Sequence, residues 1–167
     1  GHEPTLSEMI VAASQDPEII EYAKAAGAKG ICLSGICCTA NEILMRQGIP
    51  AAGNFLQQEL AIMTGSVEAM VVDVQCIMQA MVKLAENFHT KIITTSPKVR
   101  IKDATHIEFD ERHALTIAKN ILREAIDNYK IAAIPAFPTT AKIWCPASRT
   151  STSTTCLAAA TAPHSAP

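Results

Sequence analysis

The feature that most constrains this chain is VEAMVVDVQ, residues 67–75, an apolar run set between two helical stretches. Its apolar residues fall on consecutive positions, the pattern of a strand covered on both faces. Shorter runs of the same kind recur. KGICLSG (29–35) is apolar and bounded by glycines, GIPAAGN (48–54) holds a short second strand, and KIITTS (91–96) and HIEFD (106–110) follow. Helices are expected between them, over LSEMIVAASQ, DPEIIEYAKAAGA, CTANEILMRQG, FLQQELAIMTG and IMQAMVKLAENF. DERHALTIAKNILREAIDNYK reads as one long amphipathic helix with Ile117, Ile121 and Ile126 on its apolar face. The punctuation agrees: Asp16 before Pro17 is a helix start, Thr39 a candidate N-cap, and Gly27 and Gly48 are stops. Strands alternating with helices at this spacing predict right-handed crossovers. The fold class is therefore α/β, a Rossmann-like, doubly wound and mainly parallel sheet with flanking helices. There is no GxGxxG phosphate loop, so the sheet gives no reason to expect a dinucleotide.

With 167 residues, 49% of them hydrophobic, the chain can build one domain with a real core. A formal charge of −2 and no basic run give no electrostatic case for nucleic acid. No apolar stretch approaches the roughly 18–20 residues of a membrane span, and no basic flank with an apolar core marks a signal peptide. A cytoplasmic location is expected. The chain opens on Gly1, directly on a motif, and reads as a piece of a longer protein. Six cysteines without a secretory signal favour reduced thiols or metal over disulfides.

Metal-capable side chains stand at the ends of the predicted strands. Cys37 and Cys38 follow KGICLSG, and Cys76 follows VEAMVVDVQ; His2 lies in GHEPTLSEMI. Thiolate and imidazole are the ligands that iron–sulfur clusters and soft transition metals select, and open α/β sheets place their sites at strand ends. A cysteine at a helix N-terminus also sits where the macrodipole favours negative charge. The sequence alone leaves open which of Cys37 and Cys38 would be a ligand. Cys32, inside a strand, reads as core. His89, His106, His113, Asp73 and Glu108 read as structural, and Asn41 and Glu42 as polar groups able to orient ligands.

GHEPTLSEMI, GICCTANEILMRQG, GNFLQQELAIMTGSVEAMVVDVQCIM, KIITTSPK and HIEFDE together resemble the middle part of the anaerobic nickel–iron carbon monoxide dehydrogenase catalytic subunit, from about Gly1 to about Lys130. The resemblance implies the reaction CO + H2O ⇌ CO2 + 2 H+ + 2 e−, with ferredoxin as the electron partner. It implies a Ni-Fe-S cluster of nickel, iron and sulfide in the full-length parent, and 4Fe-4S clusters bound elsewhere in it. It also assigns metal ligands. His2 and Cys38 would bind the iron outside the cubane, and Cys76 an iron of the cubane; the family's ligand separation favours Cys38 over Cys37. A homodimer is implied for the parent, and the resemblance leaves open whether acetyl-CoA synthase is a further partner. The remaining cluster cysteines, including the nickel thiolate, come from other parts of such a subunit, so the isolated chain is expected to be inactive. Two alternatives stand: a hybrid-cluster (hydroxylamine reductase) relative, and a non-catalytic α/β domain with packed cysteines.

The domain is expected to span 1–131. Residues 132–167 are dominated by Ala, Thr, Ser and Pro, carry only Lys142 and Arg149 as charges, and do not share the resemblance. Such composition buries too little apolar surface to offset its ordering entropy. The tail is expected to be disordered or out of frame, and its Cys145 and Cys156 are assigned no role.

Overall fold

The structure, a computed structural model, describes residues 3–75 and 77–132. The chain opens with two helices, α1 (Pro4–Ser14) and α2 (Pro17–Ala25). The Asp16 carboxylate accepts the Glu18 backbone N–H at 2.9 Å, and Gly27 ends the pair at φ +89°. Both signals do what their residue types predict. Then come β1 (Gly35–Ile36), α3 (Cys38–Gln47), β2 (Ala51–Gly53), a short 3-10 turn and α4 (Gln58–Met63). The second half runs β3 (Ala69–Val72), α5 (Ala80–Ala85), β4 (Lys91–Thr94), β5 (Thr105–His106) and α6 (Ala114–Ala132).

Every strand pairing is parallel, as expected. Among the described residues the strands form two sheets rather than one, β1-β2 and β3-β4-β5. Between them lies a largely apolar cavity of about 210 Å³, lined on one side by Gly35 and Ile36 and on the other by Ala69, Val71 and Val72. The expected strand KGICLSG is shorter than predicted. Only Gly35 and Ile36 join a ladder, because β2 offers three residues on one side and the cavity lies on the other. Of the predicted strand over HIEFD only His106 joins the ladder, after Thr105, and the N–H groups of Ile107 and Phe109 donate to the carbonyls of Thr94 and Thr95 at 2.9 Å. Helix α3 begins at Cys38, as the expected stretch does, so Thr39 lies inside it rather than at its N-cap, and Glu111–His113 form a 3-10 turn ahead of α6.

The three-stranded sheet is covered on both faces, which is what the consecutive apolar residues of β3 demand. Ala69 and Val71 pack with Leu6 of α1, Ile93 of β4 and Ile121 of α6. Met70 and Val72 pack on the opposite side with Ile62 of α4 and Met81, Val82 and Ala85 of α5. Outside the first layer Ala13 at the end of α1 and Ile19 and Ala23 of α2 pack on Ala118, Leu122 and Ile126 of α6. The end of α6 is fastened near the starts of the strands: Asn128 Nδ2 donates to the carbonyls of Glu68 and His89. Beside it Glu68 and His89 are both buried, with Oε1 and Nε2 3.6 Å apart. No helix among the described residues is long and apolar enough to cross a membrane.

Candidate metal centre

The carboxyl ends of β1 and β3 are where the predicted ligands converge in the sequence, and the local backbone explains how. Cys37 takes a left-handed conformation, φ +64°, which is uncommon for a residue with a side chain. That one residue turns the chain from β1 into α3. The turn is held by the Cys37 N–H, which donates to Gly53 O at 3.2 Å. Cys38 then opens α3 with its side chain half-buried. The two sulfurs are 3.9 Å apart, far beyond the roughly 2 Å of a disulfide bond. None of the described cysteines, Cys32, Cys37 and Cys38, is in a disulfide. A half-buried thiol at a helix N-terminus and a strand end has the chemistry a cluster iron accepts. In that respect Cys38 fits the implied cluster.

His2 and Cys76 lie outside the described residues, as do Cys145 and Cys156. Among the described residues no group of three or more His, Cys, Asp or Glu side chains is arranged to hold a metal ion. The flanks of the two sites are described, however, and they meet. Asp73, at the end of β3 and only 3% exposed, accepts a hydrogen bond through Oδ2 from the backbone N–H of Glu3. Glu3 follows His2 directly, and Asp73 precedes Cys76 by three positions. Two segments some seventy residues apart are thus joined beside the cavity wall, which Asp73 itself lines together with Ile36. The sequence reading took Asp73 as structural and missed this link. The available signal was an acid closing an otherwise apolar strand, since a buried carboxylate requires hydrogen-bond donors.

The other polar residues serve the fold. His106 Nδ1 is 2.9 Å from Thr94 Oγ1, and Glu108 pairs with Arg100 at 3.0 Å. His113 sits 3.2 Å from Asp110, at the surface. The backbone N–H of Arg112, then the His113 ring, hold the Asp110 carboxyl below its usual range. Glu42 is spent on Arg46, 3.6 Å away and one helical turn on.

A parallel α/β domain with a cysteine at the turn after β1 and an α1 N-terminus tied to the end of β3 defines a class of strand-end metal-site candidates. Comparison with known proteins narrows that class: residues 1–141 match the Prismane/CO dehydrogenase family, and the chain belongs to it. It is 58% identical over 129 residues to carbon monoxide dehydrogenase 1 of Methanosarcina mazei, covering 77% of this chain and 20% of that protein. Among solved structures it resembles a Ni-free carbon monoxide dehydrogenase from Thermococcus sp. AM4, with TM-score 0.75 and 55% identity over 77% of this chain and 20% of that one. It also resembles an acetyl-CoA synthase/carbon monoxide dehydrogenase carrying NiZn[Fe4S4] and NiNi[Fe4S4] clusters in closed and open alpha subunits. There the TM-score is 0.76 and the identity 53%, over 79% of this chain and 19% of that one. The chain thus spans about a fifth of the length of these relatives.

Proposed function

We propose that this chain is the central α/β portion of an anaerobic carbon monoxide dehydrogenase and supplies three metal ligands, His2, Cys38 and Cys76, to its Ni-Fe-S centre. The observation that carries the reading is the match of residues 1–141 to the Prismane/CO dehydrogenase family, together with the 58% identity over 129 residues to a carbon monoxide dehydrogenase. The relatives' names favour it over the hydroxylamine-reductase alternative. Cys38 at the α3 N-terminus supports one ligand directly. The Asp73–Glu3 hydrogen bond supports the approach of the His2 and Cys76 segments to each other. When bound, the cluster supplies a site that takes carbon monoxide and a metal-activated water and accepts two electrons. The chain's own part is to hold it: thiolates and a neutral imidazole are suited to iron. The parent's electron partner is a ferredoxin, its setting is the cytoplasm, and association with acetyl-CoA synthase belongs to the same reading.

A fifth of a subunit holds too few ligands to complete such a cluster. The isolated chain is expected to take up iron after anaerobic reconstitution but to reduce no viologen dye with carbon monoxide. Cys38→Ser and Cys76→Ser should each lower the iron bound, whereas Cys32→Ser should not. Iron uptake that is indifferent to Cys38 and Cys76 would sink the assignment. Dye reduction at rates near those of an intact enzyme would refute the claim of inactivity.

A further inference from the structure

Cys37 and Cys38 are neighbours in space as well as in sequence. Their sulfurs are 3.9 Å apart, within reach of an S–H···S hydrogen bond, and both residues are half-buried rather than sealed in the core. Cys37 stands ahead of α3 in the left-handed conformation, φ +64°, and Cys38 is the first helical residue. The Cys38 N–H is among those that an α-helix leaves without an intrahelical acceptor, so the peptide joining the two cysteines is held less tightly than one inside α3. Oxidation of such a pair has two courses. A sulfenic acid either condenses with a nearby thiol or takes up more oxygen and becomes sulfinic acid, from which ordinary reductants do not return it. Here the second thiol is already in place, so condensation needs no encounter. The resulting bridge is strained. Consecutive Cα atoms across a trans peptide are about 3.8 Å apart, short of the roughly 4.4–6.8 Å that disulfides usually span. Strained bridges are the readily reduced ones.

We propose that Cys37 and Cys38 form a reversible redox-sensing pair: hydrogen peroxide oxidises one thiol to sulfenic acid, the neighbouring thiol closes a bridge between them, and a thiol reductant such as glutathione reopens it. In the first step the peroxide O–O bond breaks, one oxygen joins the sulfur and water leaves. In the second the S–S bond forms, the sulfenic S–O bond breaks, and the hydroxyl departs with the neighbour's proton as a second water. Two thiols and one peroxide thus give one disulfide and two waters. Two molecules of reduced glutathione return both thiols and are themselves joined as a disulfide. The same bridge forms whichever sulfur is oxidised first, and it forms whether or not Cys38 also binds metal. Cys32 supplies the contrast, being half-buried too but with no cysteine next to it in the chain.

The test uses the full 167-residue chain carrying Cys32→Ser, prepared reduced and metal-free, treated with hydrogen peroxide, blocked at its remaining thiols and cut with trypsin. Cleavage after Lys29 and Arg46 leaves Cys37 and Cys38 as the cysteines of one peptide, 30–46. Its mass is expected to fall by two hydrogens and to be restored by reduced glutathione. Adding Cys37→Ser or Cys38→Ser leaves a single sulfur with no neighbour to condense with, and the peptide should gain oxygen instead at the same peroxide dose. If Cys37→Ser does not fold, Cys37→Asn takes its place, since Asn tolerates the left-handed turn. Oxygen gain on the intact pair at that dose, a peptide 30–46 joined to another cysteine peptide instead of closed on itself, or a bridge that glutathione does not reopen each overturn the proposal.

Discussion

Gly27 and Gly53 separate two reasons why a position demands glycine. Gly27 sits at φ +89° with nothing near where a Cβ would stand. Gly27→Ala therefore meets only the left-handed backbone penalty and should cost about 1 kcal/mol in urea unfolding. Gly53, at φ +156°, is crowded as well: an added Cβ would fall 2.6 Å from Gln57 Oε1 and 2.8 Å from Gln57 Cβ. Gln57 closes a capping box with Asn54, and the Gly53 carbonyl receives the Cys37 N–H. Gly53→Ala should therefore be the costlier change, and it should also disturb the Cys37 turn. Equal unfolding midpoints for the two variants would contradict this. The contrast also marks what was legible in the sequence. Gly27 and Gly48 announce helix ends by residue type alone, and both have positive φ. The left-handed conformation of Cys37 had no such signal, because its cause is a bond to β2 sixteen residues later. The Asp73–Glu3 link was hidden for the same reason, its partners being seventy positions apart.

At the scale of elements, the seam between α2 and α6 carries a charge network. Lys119 lies 2.8 Å from Asp16 and 3.0 Å from Glu18, and Arg123 also pairs with Glu18. The Lys119 ammonium, then the Glu18 backbone N–H, hold the Asp16 carboxyl below 3.8; Lys119 and then Arg123 hold Glu18 below 4.5. Bonding to Asp16 and then Glu18 raises Lys119 above 10.5. Depressed carboxyl values add stability that is present above the unfolded values and drains as pH falls through the folded ones. A raised lysine value adds stability that is present below 10.5 and drains as pH rises through its folded value. The melting-temperature difference between wild type and Lys119→Met should thus be flat from pH 4.5 to 10.5 and shrink on both sides. These groups are at the surface, so the difference is small and should fall further in high salt. A difference that persists undiminished at pH 2 would point to packing of the lysine stem instead. Elements with their own periodicity were the readable ones. Ile121 and Ile126 are buried and Ile117 is half-buried, as the α6 pattern predicts. Sheet continuity was not readable, because a run such as KGICLSG fixes its own strand tendency but not whether a neighbour closes on its second edge.

At the scale of the molecule, the distribution of apolar surface is uneven. Helix α6 buries Ile121, Leu122 and Ile126, yet the short helical stretch before β3 does the reverse. Leu56, Leu60 and Met63 are 73%, 58% and 54% exposed. Their spacing of four and three places them along one face of that stretch, while Ile62 faces the core. Contiguous exposed apolar surface of this kind drives association in water. The chain spans only about a fifth of its relatives' length, so as an isolated species it carries this face without most of the protein matched by them. Replacing all three residues with Gln removes apolar area without entering the core. The wild-type chain should then show a concentration-dependent rise in mass by light scattering that the triple variant lacks, with both melting at the same temperature. Loss of folding in the triple variant would mean the stripe is part of the core, and equal association would place the sticky surface elsewhere, with Met45, 90% exposed on α3, the next position to change.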